Sequence, residues 1–128
     1  MAKVRIIVAD DNPAFLQKLV SLLSAEFDIV ATAGDGESAM RAIHSHKPDL
    51  AVLDLEMPLL NGIQITQQLG KNNTRAVICS TETDPEIVQA ARQAGALAYV
   101  FKLRIERDLI LALKSALDCK FFVSPGPK

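Results

Sequence analysis

The chain has 128 residues, 49% of them hydrophobic and 23% charged. That length fits one domain, and the composition excludes a disordered, collagen-like or coiled-coil chain. Fourteen basic and 15 acidic residues leave a net charge of −1, which argues against a dedicated nucleic-acid binder. The net value hides an asymmetry. Residues 1–64 hold 9 acids and 5 bases, and residues 65–128 hold 6 acids and 9 bases. No apolar run approaches the roughly 18 residues of a bilayer span. The N-terminus reads as a strand rather than a signal peptide, so the expected location is the cytoplasm. Cys79 and Cys119 are the only cysteines, with no Cys-x-x-Cys pattern, which disfavours zinc. Cys79 lies in an apolar run and reads as a small core residue.

Strand and helix signals alternate along the chain. Val4–Ala9 is a β-branched run. Asn12 then caps a helix with Pro13 at its first position, and Phe15, Leu16, Leu19, Val20, Leu22 and Leu23 form its apolar stripe. A second strand at Asp28–Thr32 leads to a helix begun near Gly36-Glu37 and marked by Ala39, Met40 and Ile43. A third strand at Leu50–Leu53 precedes a short helix from Gly62 to Leu69, stopped at Gly70. A fourth strand at Ala76–Cys79 is followed by a second cap-plus-proline start, Asp84-Pro85, whose helix ends at Gly95. The fifth strand is Leu97–Phe101, and the last helix carries Leu109, Ile110, Leu113, Ala116 and Leu117. Most of the strands are apolar throughout, as in a parallel sheet covered on both faces. Five β-α repeats imply right-handed crossovers.

In open α/β sheets, ligands bind beyond the carboxyl ends of the strands. The first strand ends in Asp10-Asp11, the second in Ala33-Gly34-Asp35-Gly36, the third in Asp54, the fourth in Ser80-Thr81 and the fifth in Lys102. Three carboxylates, a hydroxyl and an amine therefore converge on one edge. Two carboxylates about 4 Å apart repel by roughly 4 kcal/mol at an effective dielectric near 20. Three of them need a cation or a raised pKa. Carboxylate oxygens without His or Cys suit Mg²⁺, Lys102 suits a phosphoryl oxygen, and a carboxylate can itself be a nucleophile. Taken singly, Asp10 or Asp11 would be a helix cap, Asp54 a turn residue, Ser80 a turn hydroxyl and Lys102 a surface lysine. Their joint placement favours a site.

These residues resemble the response-regulator receiver domain of two-component signalling, with the flavodoxin-like fold of the chemotaxis receiver. The matching motifs are Val8-Ala9-Asp10-Asp11-Asn12, Leu53-Asp54-Leu55-Glu56-Met57-Pro58 with Asn61-Gly62, Ser80, and Tyr99-Val100-Phe101-Lys102. The resemblance implies a five-stranded parallel sheet of order 2-1-3-4-5 with helices on both faces. It implies that Asp54 is the phosphoacceptor. It also implies that Asp11, Asp54 and the Glu56 backbone carbonyl bind Mg²⁺, with Asp10 acting largely through a metal-bound water. Ser80 and Lys102 would contact the phosphoryl oxygens, and Tyr99 matches the aromatic that swings inward as Ser80 moves. Tyr99 reads equally as plain packing. The implied donor is a sensor histidine kinase or a phosphotransfer protein, and the implied readout surface lies around the fourth helix, fifth strand and fifth helix. The chain would catalyse only its own phosphoryl transfer and dephosphorylation.

Departures from the family pattern are Leu103 after Lys102, where proline is common, and Thr81 after Ser80, where a smaller residue is common. Glu56 and Glu82 stand where the family tunes hydrolytic lifetime. Ala116–Pro125 resembles the end of NarL/LuxR-type receivers. The expected division is a receiver at residues 1–120 and a tail, or severed linker to an absent helix-turn-helix output domain, at 121–128. DNA binding would then come through that domain, not this one, and activation would allow a homodimer. A stand-alone or degenerate receiver acting as an interaction module is the alternative. A haloacid-dehalogenase-type phosphatase would need an Asp-x-Asp motif, which Asp54-Leu55-Glu56 does not supply. A flavodoxin-type carrier would need a phosphate loop where Asp10-Asp11-Asn12-Pro13 repels phosphate. His44 and His46 read as a helix C-terminus, and Arg104, Arg107, Lys114 and Lys120 as a solvated helix face.

Overall fold

The computed structural model describes residues 3–69 and 73–125. Strands and helices alternate: β1 (Arg5–Ala9), α1 (Pro13–Leu23), β2 (Asp28–Ala33), α2 (Gly36–His46), β3 (Leu50–Asp54), α3 (Gly62–Gln68), β4 (Arg75–Ser80), α4 (Pro85–Ala94), β5 (Ala98–Phe101), α5 (Ile105–Leu117) and β6 (Phe122–Val123). A single 3₁₀ turn, Lys102–Arg104, joins β5 to α5. The stop expected at Gly70 lies outside the described residues. No helix among them is long and apolar enough to cross a membrane.

The strands form one parallel sheet in the order β2-β1-β3-β4-β5-β6. The first five take the expected order. The sixth is a difference from the five strands expected. Phe122 and Val123, placed by sequence in a tail, pair with Ala98 and Tyr99. The β5 edge would otherwise present unpaired backbone groups to solvent, and the half-buried Phe122 ring packs against the core.

Alternation along the strands divides the core. Ile6, Val8, Leu50, Val52, Val77, Cys79, Ala98 and Val100 face α1 and α5, where Leu19, Leu23, Leu109 and Leu113 meet them. Ile7, Ala9, Ala51, Leu53 and Ala76 face α2 and α3. Ile78, Tyr99 and Phe101 continue that second face and pack with Leu55, Ala91 and Ala96. Burying both faces is what makes nearly every strand position apolar and leaves the strand ends as the place for polar chemistry.

Helix starts follow local rules. The Asn12 side chain accepts the Phe15 N–H, with Pro13 in the first turn. Asp35 accepts the Ser38 N–H, and Asp84 accepts the Glu86 N–H. Asn61 and Gln64 form a reciprocal capping box. The bond from Ser38, first, holds the Asp35 carboxyl below its ordinary range. Gly36 has a tertiary reason. A Cβ there would collide with the Leu60 backbone, and its N–H donates to the Pro58 carbonyl at 3.1 Å. This contact fixes the loop that follows Asp54 against the start of α2.

Candidate functional site

Asp10 follows β1 and is 1% exposed. Its Oδ1 accepts the Asn12 N–H at 2.9 Å, and its Oδ2 accepts from Lys102 Nζ at 2.9 Å. Asp11 is exposed on the rim. Asp54 ends β3, and its Oδ1 lies 3.2 Å from the same ammonium. The Glu56 N–H also reaches Asp54 Oδ1, at 3.4 Å. One carboxylate oxygen from each of Asp10, Asp11 and Asp54 lies within 4.8 Å of the other two.

The loop after β3 is built around this cluster. Gly62 donates its N–H to the Leu55 carbonyl, and a Cβ on Gly62 would stand 2.7 Å from the Asp54 carbonyl oxygen. Only glycine lets α3 start this close to Asp54. Leu59 takes a positive φ of 75° in the same loop and is exposed.

Burial, first, and the negative charge of Asp10, second, push the Asp54 carboxyl up to about 6. Lys102 only partly offsets them. For Lys102, burial alone would lower the pKa, but the hydrogen bond to Asp10 and the charges of both acids outweigh it and hold the ammonium above its ordinary value. The cluster is thus two buried carboxylates held together by one shared cation, with a third carboxylate beside them. Lys102 Nζ also sits 4.5 Å from the centre of the Phe15 ring, a favourable cation–π contact.

Ser80 ends β4 and is buried, and its Oγ accepts the Glu82 N–H at 2.9 Å. Tyr99 is fully buried and donates its hydroxyl to the Glu82 carbonyl at 2.8 Å. Glu82 is therefore gripped from both sides. Tyr99 packs edge-to-face with Phe101, ring centres 5.8 Å apart. It lies on the α3–α4 side of the sheet, so it is core packing with a polar tip reaching the loop after Ser80.

The site residues expected from sequence thus separate into two neighbouring groups. Asp10, Asp11, Asp54 and Lys102 form one, which Glu56 joins through its N–H rather than through the carbonyl expected as a metal ligand, and Ser80 with Tyr99 forms the other through Glu82. Sequence reasoning gave Phe15 to the core stripe alone and overlooked the Glu82 backbone. Cys79 is buried as expected, and burial pushes its thiol well above the ordinary range. Of the basic residues expected on a solvated helix face, Arg107, Lys114 and Lys120 are exposed and Arg104 is half-buried. Arg104 Nε bonds Asp108 at 2.8 Å, and Lys114 lies 3.5 Å from Glu26.

The receiver-domain profile of response regulators matches residues 6–114. The chain belongs to the response-regulator receiver family. Among curated proteins the receiver is 35% identical over 121 residues to a protein of Mycobacterium tuberculosis named "Probable transcriptional regulatory protein NarL", covering 91% of this chain and 55% of that one. It is 41% identical over 101 residues to a protein-glutamate methylesterase/protein-glutamine glutaminase of Nitrosospira multiformis, covering 74% of this chain and 28% of that one. A LuxR-family two-component response regulator from Aurantimonas sp. SI85-9A1 superposes with a TM-score of 0.90 at 27% identity, covering 97% of this chain and 91% of that chain. The receiver spans about half the length of the first of these relatives and less of the second.

Proposed function

We propose that this receiver accepts a phosphoryl group on Asp54 from a phosphohistidine of a sensor histidine kinase or phosphotransfer protein. The observation that carries the reading is the position of Lys102 Nζ, 2.9 Å from Asp10 Oδ2 and 3.2 Å from Asp54 Oδ1, with Asp11 at the rim. The donor set is all carboxylate, which fits a hard divalent cation such as Mg²⁺. Asp11, Asp54 and the Glu56 carbonyl would hold the ion, with Asp10 acting through a bound water. Bound there, Mg²⁺ supplies positive charge to neutralise the acids and the incoming phosphoryl oxygens.

The chain's own residues do the rest by position and charge. A carboxylate oxygen of Asp54 forms the O–P bond as the donor's P–N bond breaks, and the released imidazole takes a proton from solvent. Asp54 Oδ1 is engaged by Lys102 and the Glu56 N–H. Oδ2, which neither of these contacts engages, is the proposed attacking atom. With its carboxyl near 6, Asp54 is mostly ionised at neutral pH. Lys102 reaches a phosphoryl oxygen by a side-chain movement alone, and Ser80 by exchanging its bond with the Glu82 N–H. That exchange frees one side of Glu82 and so alters the anchor of Tyr99. The readout surface in this reading is α4, β5 and α5, available for activation-linked homodimerisation and for control of a DNA-binding output domain; the NarL relative's name, a transcriptional regulatory protein, supports transcription as the output. The receiver catalyses only its own phosphorylation and dephosphorylation.

Intact-mass spectrometry after acetyl phosphate and Mg²⁺ tests the site. One added phosphoryl group is expected in the wild type and none in Asp54→Asn. Beryllofluoride with Mg²⁺, read by chemical-shift changes at Asp54, covers the case of a poor small-molecule donor. Unchanged labelling in Asp54→Asn would remove the assignment.

A further inference from the structure

The segment after α5 is bound to the strand that carries Lys102. The Phe122 N–H donates to the Leu97 carbonyl at 3.1 Å, and the Ser124 N–H donates to the Tyr99 carbonyl at 3.0 Å. The Ser124 hydroxyl accepts the Phe101 N–H at 3.0 Å. Ser124 is 3% exposed although it lies near the end of the chain. Arg92 of α4 stacks over the Phe121 ring, 4.3 Å from its centre, and pins the same segment from the other side. Ser124 thus clamps Tyr99 and Phe101, the second of which immediately precedes Lys102.

We infer that Ser124 is a positioning residue for the phosphoryl site: it fixes the end of β5 so that Lys102 points at Asp54 while Tyr99 stays buried. The inference rests on the phosphoryl-acceptor reading of Asp54. Lys102 reaches across the sheet to Asp10 and Asp54 from the first residue after β5, so any drift of the Phe101 backbone is passed straight to its ammonium. A parallel edge strand of two residues provides few bonds. The Ser124 side chain adds one where the ladder ends, at the only Phe101 backbone donor. By linkage, a clamp that favours phosphoryl binding must itself be tightened by phosphoryl binding. Residues 121–124 then belong to the switch rather than to a passive linker, and whatever follows them senses the state of Asp54 through β5.

The test is a titration of the whole chain with beryllofluoride and Mg²⁺, followed by NMR, in wild type, Ser124→Ala and Ser124→Thr. Ser124→Ala leaves the Phe101 N–H without an acceptor, and the expected result is a loss of affinity of about fivefold or more. The Lys102 ammonium and Tyr99 ring signals should shift in the same variant before any ligand is added. Ser124→Thr keeps the hydroxyl and should restore both. In the wild type, beryllofluoride should slow amide exchange at Phe101 and Ser124. An Ser124→Ala chain with unchanged affinity and unchanged Lys102 signals overturns the inference. If Ser124→Ala does not fold, Phe121→Ala is read in the same titration: weakened binding supports the clamp and unchanged binding overturns it. A wild-type chain that binds no beryllofluoride overturns the phosphoryl reading itself, a result distinct from loss of the clamp alone.

Discussion

The Lys102 ammonium stands 3.2 Å from Asp54 Oδ1, and it reaches that position from the carboxyl end of a strand two places away in the sheet. Among the described residues it is the one cation paired with both Asp10 and Asp54, so its removal shifts the balance of the whole cluster. We expect Lys102→Ala to raise the Asp54 pKa above its value of about 6, because an opposite charge that favoured ionisation is gone. Carboxyl ¹³C NMR across a pH series measures it. Labelling by acetyl phosphate should persist in this variant while the response of the Tyr99 ring signals is lost. Normal Tyr99 shifts would contradict the role given to Lys102.

Because burial and Asp10 outweigh its pairing with Lys102, Asp54 makes stability depend on pH in the direction opposite to that of an acid whose pKa is lowered by folding. Its carboxyl is raised from 3.8 to about 6 in the fold. Between those values the folded state holds more protons than the unfolded state, so stability falls as pH rises through that window. Asp54→Asn removes this penalty. Without Mg²⁺, the stability of Asp54→Asn relative to wild type should grow by about 2 kcal/mol from pH 4 to pH 7. Urea unfolding at the two pH values checks this. Added Mg²⁺ should narrow the difference, since the ion is expected to bind more tightly, and so to stabilise more, the chain that keeps all three acids.

Asp11 is the exposed member of the acid cluster. Asp11→Asn should leave stability within about 0.5 kcal/mol of wild type yet weaken Mg²⁺ binding by about tenfold or more. Calorimetric titration separates the two effects. In the wild type, Mg²⁺ affinity should fall below about pH 6, where a proton competes for Asp54.

Gly36 and Gly34 form a matched pair. A Cβ on Gly36 meets the Leu60 backbone, whereas a Cβ on Gly34 has nothing within 4 Å. Gly36→Ala should cost about 2–3 kcal/mol by overpacking, and Gly34→Ala should stay within about 0.5 kcal/mol of wild type. Because Leu60 belongs to the loop after Asp54, Gly36→Ala should also slow labelling by acetyl phosphate. Denaturation midpoints and labelling rates read the two consequences.

Much of this molecule is decided locally and can be read along the chain. Asn12-Pro13 and Asp84-Pro85 start helices because their side chains and fixed backbone satisfy the first turn wherever they occur. The apolar runs declare buried strands because both faces of a parallel sheet are covered. Once strands and helices alternate, the polar residues at strand ends, Asp10, Asp11, Asp54, Ser80 and Lys102, are placed on one edge by connectivity alone. The candidate site was legible for that reason.

Other features depend on which strands lie side by side and which side of the sheet each residue takes. Lys102 and Asp10 are 92 residues apart, and only the strand order brings them within 2.9 Å. Tyr99 could have served either face, and pairing of β5 with β4 puts it beneath α4 with its hydroxyl on Glu82. Gly36 looks like an ordinary helix start until Leu60 is laid against it. Phe121–Ser124 reads as a tail because its partner, the open edge of β5, is created only after five strands have assembled. A two-residue strand has too little local preference to form alone, so its existence is a property of the assembled sheet. The sequence by itself determined the alternation of strands and helices and which polar residues stand at the strand ends. The tertiary structure decided that one lysine would serve two acids and that Ser124 would bond the strand that carries it, because both contacts exist only once the strands lie side by side.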